Sequence, residues 1–370
     1  MNYGAKGNIK VTLCNGFSII MVVYLYKTLV LVNDMVMYAQ LMKGRDYLLH
    51  AAIIGCGAIA SVHACALALM QDVELTACAD LKFERAQKLA AENGANAYAS
   101  MEELLDNHHI DVVHLCTPHH LHAPMAALAA SHGIHVFTEK PPVIDREQWL
   151  SLVNTAEAVQ VGVCFQNRYN GSVQKIKELL KSGNLGKVLG ARAFVTWSRG
   201  KEYYTQSGWR GCLKTEGGGV LINQAIHTLD LLVYLLGKPE HVASSTANRH
   251  LQGVIEVEDT VEAYMTIHGA PVLFYATNAY CANSPVLVEI ECENAIMRME
   301  KDVLTLHMNT GKEERFEYQH NLSLSRDHWG AAHVPCIRAY YDALLESKPV
   351  PIGLEQVKDS VDTMLKIYGR

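Results

Sequence analysis

Residues 220–236 of this 370-residue chain read as a helix in which Asn223, His227, Asp230 and Tyr234 recur at steps of four, three and four. That spacing puts four polar side chains on one helical face, opposite the apolar Ile222, Ala225, Ile226, Leu229, Leu232, Val233 and Leu236. A stripe of this kind meets either solvent or a ligand. The run Gly217-Gly218-Gly219 just before it tilts the reading to a ligand, because consecutive glycines are costly in backbone entropy unless something must come close. An imidazole with an ordinary pKa near 6.5 is suited to taking a hydroxyl proton at neutral pH, which makes His227 the expected base. Asn223 can hydrogen-bond and cannot titrate, so it is expected to clamp a substrate hydroxyl, and Asp230 is placed to orient the imidazole.

A second constellation points to a dinucleotide. The sequence Gly55-Cys56-Gly57-Ala58-Ile59-Ala60 follows an apolar strand-like run and opens a helical pattern over 61–70, the context a G-x-G-x-x-A fingerprint requires. Gly55 permits the tight turn, Gly57 admits the pyrophosphate, and Ala60 allows close helix packing, while Ala58 and Ile59 complete the turn whose helix N-terminus offers N–H donors. Twenty residues beyond Ala60, Asp80 is placed to accept from the adenosine ribose hydroxyls and to repel a 2′-phosphate. NAD is therefore expected in preference to NADP, although Lys82 and Arg85 stand nearby.

The elements that position these groups are legible as apolar runs at 48–54, 73–79, 111–116, 134–138 and 161–165, separated by amphipathic segments. This alternation predicts an α/β Rossmann-type doubly wound parallel sheet over residues 48–168. Ser100 with Glu103 and Asp145 with Gln148 are spaced as capping boxes. Beyond Arg168 a helix at 172–181 leads into strand-like runs at 188–197, 241–247, 260–267, 272–278, 286–292 and 295–299. Their short Gly, Pro and Asn turns predict an α+β domain over 169–370 with an open, mainly antiparallel sheet. Helical patterns at 334–345 and 354–368 are expected to pack back on the first domain. Val272, Phe274 and Ala276 are expected to make the open face apolar, and a homodimer or homotetramer to form through it.

Together with the glycine turn, Glu139-Lys140-Pro141, Thr117-Pro118-His119-His120-Leu121-His122, and Gly217-Gly218-Gly219 followed by Asn223-x-x-x-His227 resemble the Gfo/Idh/MocA family of oxidoreductases over about 48–370. The resemblance implies hydride transfer between a nicotinamide cofactor and a secondary alcohol of a sugar, glycoside, cyclitol or sugar nucleotide. It implies that Lys140 lies beside both nicotinamide and substrate, and that His227 is a second acid/base group. Cofactor contacts are expected from Thr117, Pro118, His119, His122, Glu139, Lys140 and Gln166. The family often carries Asp where this chain has Asn223, which leaves proton transfer to His227 or Lys140. Lys140 serves as base only if burial and the cationic nicotinamide depress its pKa, and otherwise polarises the same oxygen. Some relatives use the same parts as NAD-dependent glycosidases, and a closed redox cycle through a transient keto-sugar would also serve an epimerase; a non-catalytic NAD-binding sensor is the third reading.

Arg168 and Tyr169, and Trp209 and Arg210, combine polar donors with aromatic plates of the kind that grip sugars, and Tyr203 and Tyr204 are weaker versions of the same feature. His119, His120 and His122 supply imidazoles without a nearby Asp, Glu or Cys to complete a metal set, so no metal is expected. The 32 Lys plus Arg against 38 Asp plus Glu, net −6, give no basic stripe for nucleic acid. The ten cysteines show no knuckle or redox-pair spacing and read as reduced thiols of a cytoplasmic chain. Residues 1–41 differ in texture: 17–32 is almost continuously apolar apart from Lys27, short of the roughly 20 residues that span a bilayer. No membrane association is expected, and translation is expected to start at Met42, with 1–41 an extension outside the functional unit.

Overall fold

The computed structural model describes residues 48–318 and 332–370; the apolar run 17–32 and the expected start at Met42 lie outside the described residues. Six strands, β1 (Leu49–Ile54), β2 (Val73–Ala79), β3 (Asn96–Tyr98), β4 (Val112–Leu115), β5 (His135–Thr138) and β6 (Val161–Val163), form a parallel sheet in the order β3-β2-β1-β4-β5-β6. Ala51, Ala52 and Ile53 of β1 and Val112, Val113 and Leu115 of β4 are fully buried, as strands covered on both faces must be. Strand order reverses between β1 and β4, which opens the crevice at their carboxyl ends where such sheets bind ligands. Both capping boxes form: Ser100 Oγ accepts from Glu103 N at 3.1 Å and Asp145 Oδ1 from Gln148 N at 2.8 Å. Glu103 and Gln148 reach back to the amides of Ala99 and Ile144, one residue before each cap.

The second sheet comprises β7 (Val188–Thr196), β8 (His241–Ala247), β9 (Thr260–Ile267), β10 (Ala270–Thr277), β11 (Leu287–Cys292), β12 (Ala295–Glu300), β13 (Val303–Met308) and β14 (Glu313–Glu317) in the order β14-β13-β12-β11-β7-β10-β9-β8. Every pairing is antiparallel except β7 with β10. The edge strand β14 alternates exposed Glu313, Arg315 and Glu317; such charges blunt an edge against further pairing and hid this strand from a reading based on apolar runs.

The expected exposed face of β10 is the buried one. Val272, Phe274 and Ala276 are at most 2% accessible, whereas Leu273 is 50% and Tyr264 on β9 43% exposed. Apolar residues occupy both parities of β10, so period-two alternation alone does not say which face is covered. The covering layer includes the helix Ile226–Leu236, and the helix Leu354–Ile367 packs against that helix. The stretch Leu213–Leu236 is long and apolar enough to cross a membrane by composition, yet 89% of its apolar window is buried inside the fold.

The chain then returns to the first sheet. Cys336, Ile337, Tyr340 and Tyr341 of the helix His333–Leu345 join the core around β1 and β4. Tyr340 lies where a side chain on Gly162 of β6 would stand, at 2.5 Å from its Cβ.

Candidate active site

At the cofactor end, Gly55 adopts φ +87°, and a Cβ there would stand 2.8 Å from the Cys116 carbonyl, so only glycine fits the turn. Gly57 has nothing within 4 Å of a Cβ position, which leaves open space for a pyrophosphate. The helix Ala60–Ala68 begins at Ile59 without a side-chain cap or an acidic residue in its first turn, so its amides remain available to an anion. Asp80 accepts from Cys56 N at 2.8 Å and Lys82 N at 2.7 Å, tying the glycine turn to the end of β2 while keeping lone pairs for ribose hydroxyls. Thr117 Oγ1 is buried without a hydrogen-bond partner, the mark of a group whose partner is a bound molecule. These features fit NAD.

The second part of the site assembles around Lys140, which follows β5 and precedes a cis peptide to Pro141. Its Nζ donates to the backbone carbonyl of Asn223 at 2.7 Å. Burial draws the Lys140 pKa below its ordinary 10.5. Residues Leu221–Ala225 form a π-helical turn before the helix Ile226–Leu236, where a simple α-helix is predicted; such turns recur at functional sites. Asn223, His227 and Asp230 are all buried, so three of the four members of the polar stripe are turned away from solvent, and half-buried Tyr234 is the fourth. Burial, and then the charge of Lys140, hold His227 well below its ordinary 6.5. His227 Nδ1 is buried without a partner.

Trp209 and Arg210 come to the same cluster. Trp209 packs on His119 with ring centroids 4.6 Å apart, and the Arg210 guanidinium lies 4.5 Å from the Tyr203 ring and 4.9 Å from Trp209. Arg210 Nε is buried and unpartnered. His119 Nδ1 meets the Glu216 carbonyl at 2.9 Å and His120 Nδ1 the Thr215 carbonyl at 3.1 Å, while His122 lies between the carbonyls of Pro141 and Thr117 at 2.7 and 2.8 Å. The three imidazoles thus lock loops together rather than converge on a point. Half-buried Pro118 leads into this turn, and Gln166 is buried with the Cys164 thiol 3.8 Å from its Oε1.

Three expectations change. Asp230 does not orient His227: its oxygens accept from Arg168 Nε at 2.9 Å, Arg168 Nη2 at 2.6 Å and Ser360 Oγ at 2.7 Å. Arg168 also donates to the Gln356 carbonyl at 3.2 Å, so it serves the core rather than a substrate. Tyr169 lines, with Arg168 and Tyr234, a surface cavity of about 420 Å³ that includes none of Lys140, Asn223 and His227. Lastly, the glycine run is demanded by the protein itself. Side chains on Gly217, Gly218 and Gly219 would collide with Ile144, Tyr368 and the Glu258 carbonyl.

Sequence reasoning missed Glu258, Glu216 and a buried chain beneath Lys140. Glu258 accepts from Gly219 N at 2.8 Å and Leu221 N at 3.1 Å, filling with a protein carboxylate the place at the helix start where a ligand is expected. Glu216 accepts from Asn223 Nδ2 at 2.6 Å. Glu139 faces away from solvent onto His63 Nε2 at 3.0 Å; His63 Nδ1 meets His114 Nδ1 at 2.9 Å, and His114 Nε2 meets the Tyr341 hydroxyl at 2.8 Å. Burial works to raise the Glu139 pKa, and His63 outweighs it, holding the carboxyl well below the usual carboxylate range. His63 stands three residues past Ala60, a signal that was available. Among the described residues, His50, His109 and Asp111, and separately His63, Glu139 and Cys164, have ligand atoms within 4.8 Å of one another.

A doubly wound sheet with a dinucleotide turn, joined to an antiparallel sheet whose covering helix carries polar groups to Lys140, defines the class of two-part proteins built to bind a nicotinamide dinucleotide. Residues 49–166 match the family described as an oxidoreductase family with an NAD-binding Rossmann fold, and 173–298 match the GFO/IDH/MocA C-terminal domain. The chain belongs to the Gfo/Idh/MocA family of oxidoreductases. It is 33% identical over 208 residues to the D-glucoside 3-dehydrogenase of Escherichia coli K12, a match spanning 55% of this chain and 57% of that protein. The levoglucosan dehydrogenase of Pseudarthrobacter phenanthrenivorans is 27% identical over 204 residues, 51% of this chain and 52% of that protein. The chain thus spans little more than half the length of these curated relatives. Among solved structures, the WlbA dehydrogenase of Bordetella pertussis in complex with NADH and UDP-GlcNAcA superposes with a TM-score of 0.77 at 26% identity, covering 88% of this chain and 95% of that one.

Proposed function

We propose that this chain is an NAD-dependent dehydrogenase that oxidises a secondary alcohol of a sugar, glycoside, cyclitol or sugar nucleotide. In this reading residues 48–168 bind the dinucleotide and 169–370 bind substrate and form the subunit contacts. The observation that carries it is the contact of Lys140 Nζ with the Asn223 carbonyl at 2.7 Å, which joins the carboxyl end of the parallel sheet to the helix bearing His227. The cofactor, when bound, accepts the hydride from the carbinol carbon. His227 takes the hydroxyl proton, Lys140 holds the same oxygen, Asn223 binds a neighbouring hydroxyl, and Trp209 and Arg210 bind the rest of the sugar. Asp80 supports NAD over NADP. The relatives named for dehydrogenation of glucosides and levoglucosan support a carbohydrate substrate.

The test follows reduced-nicotinamide absorbance with the purified chain against a panel of sugars, glycosides, cyclitols and nucleotide sugars, with product analysis alongside. NADH accumulating with one ligand class is the expected result. Product formed at constant cofactor would replace the reading by a glycosidase or epimerase, and cofactor binding without turnover would leave a sensor.

The open face of the second sheet, where Tyr264 and Leu273 stand exposed beside a cavity of about 400 Å³, is proposed as the contact of a homodimer or homotetramer. Replacing Leu273 by Asp is expected to shift the sedimenting species toward one chain; a wild-type protein that sediments as one chain overturns this.

A further inference from the structure

Glu216 and Asn223 meet side chain to side chain at 2.6 Å. A carboxylate only accepts, so the atom turned toward it is the amide nitrogen; the same Nδ2 lies 3.5 Å from the Tyr203 hydroxyl. The second Glu216 oxygen accepts from Gly211 N at 2.5 Å, which fixes the carboxyl plane. Lys140 holds the Asn223 backbone at its carbonyl. Asn223 is therefore held at its backbone carbonyl and at its side-chain nitrogen, and the side-chain group left over is Oδ1.

We propose that Glu216 is a positioning residue that turns the Asn223 amide so that its oxygen, and not its nitrogen, meets the substrate, making the site a hydrogen-bond acceptor for a sugar hydroxyl. The substrate half of this statement rests on the proposed function; the orientation of the amide does not. It also accounts for Asn at a position where the family often has Asp. A second carboxylate 2.6 Å from Glu216 would have to share its proton, and an Asn supplies the donor that Glu216 needs.

The orientation is coupled to protonation. Glu216 is fully buried, and burial pushes its carboxyl up to about 7. The groups facing it are Arg210, Glu258, Tyr203, Tyr204 and Lys140, with His119 on its backbone carbonyl. Above the midpoint the carboxylate accepts and Asn223 shows Oδ1 to the site. Below it the protonated carboxyl becomes a donor, the amide turns over to offer it Oδ1, and Nδ2 faces the substrate instead.

The test reads the amide without a substrate. In the full chain labelled with ¹⁵N-asparagine, the side-chain signal that disappears in Asn223→Asp is expected to shift with a single midpoint near pH 7 in the wild type. It is expected to lose that midpoint in Glu216→Gln and to keep one in Glu216→Asp. A signal whose shift and pH dependence are the same in the wild type and in Glu216→Gln overturns the proposal, because Glu216 then does not govern the amide; Glu216→Asp gives the same comparison if Glu216→Gln does not fold. With a sugar the wild type oxidises, Glu216→Gln is expected to raise KM by about tenfold or more, with a larger effect on KM than on kcat and recovery in Glu216→Asp. An unchanged KM removes the substrate role. If no sugar is oxidised, the proposed function fails while the amide titration still decides the orientation.

Discussion

Replacing His227 by Ala is expected to lower kcat by about 100-fold or more, with a much smaller change in KM, because the acid–base role proposed for it acts in the transition state rather than in ground-state binding. The structure supplies the reason His227 is ready for this role at neutral pH. Burial, and then the charge of Lys140, hold its pKa well below 6.5, so the neutral form is present at pH 7. A base is active when deprotonated, so the His227 contribution is lost as pH falls through its lowered pKa, on the acid side of 6.5. A second loss of kcat/KM as pH falls through the Glu216 midpoint, where Asn223 turns its nitrogen to the substrate, is expected to vanish in Glu216→Gln and to leave the His227 one. Lys140→Ala is expected to cost a comparable factor, since it removes the lysine that joins the end of β5 to the Asn223 carbonyl. Steady-state rates over a pH series check both. A His227→Ala enzyme retaining more than about a tenth of wild-type turnover would remove the imidazole from the chemistry.

Asp230→Ala is expected to lower the unfolding free energy by about 3–5 kcal/mol, the cost of leaving a buried charge without its partner. Arg168 and Asp230 side chains are 5% and 1% accessible and paired through two hydrogen bonds. Ser360 brings the helix Leu354–Ile367 to the same carboxylate, and the guanidinium lies 4.7 Å from the Tyr234 ring. The pair therefore ties the turn after β6 to two helices of the second half, and its loss is felt in folding. Chemical denaturation followed by fluorescence reads the shift. If Asp230 instead oriented His227, Asp230→Ala would abolish turnover while leaving the denaturation midpoint in place, so the two roles separate cleanly in one protein sample.

The dinucleotide half was legible because its signals are local. The turn Gly55 to Ala60, the carboxylate at Asp80, and the caps at Ser100 and Asp145 are each specified by residues within a few positions of one another or at a fixed offset set by one βαβ unit. The same locality made the helices at 333–345 and 354–367 and most strands of the second sheet readable within a residue or two. Strands β13 and β14 both escaped, and for β14 the reason is that its charges serve an edge, where apolar content is no guide.

Partners of long sequence separation were not legible. Asp230 was assigned to His227 three residues away and in fact belongs to Arg168, 62 residues earlier. The three glycines at 217–219 suggested a ligand, yet Ile144, Tyr368 and Glu258 occupy the space beside them. Glu216 carries no motif that separates it from a surface glutamate; only burial against Asn223 and Gly211 gives it a role. The sequence by itself determined the elements, the cofactor turn and the residue types near the reaction, because backbone propensity and periodicity act over one helix turn or one strand. The tertiary structure alone decided which carboxylate meets which donor, which face of β10 is covered and which way an amide points, because those depend on how side chains pack, whether 62 residues apart as Arg168 and Asp230 are or seven apart as Glu216 and Asn223 are.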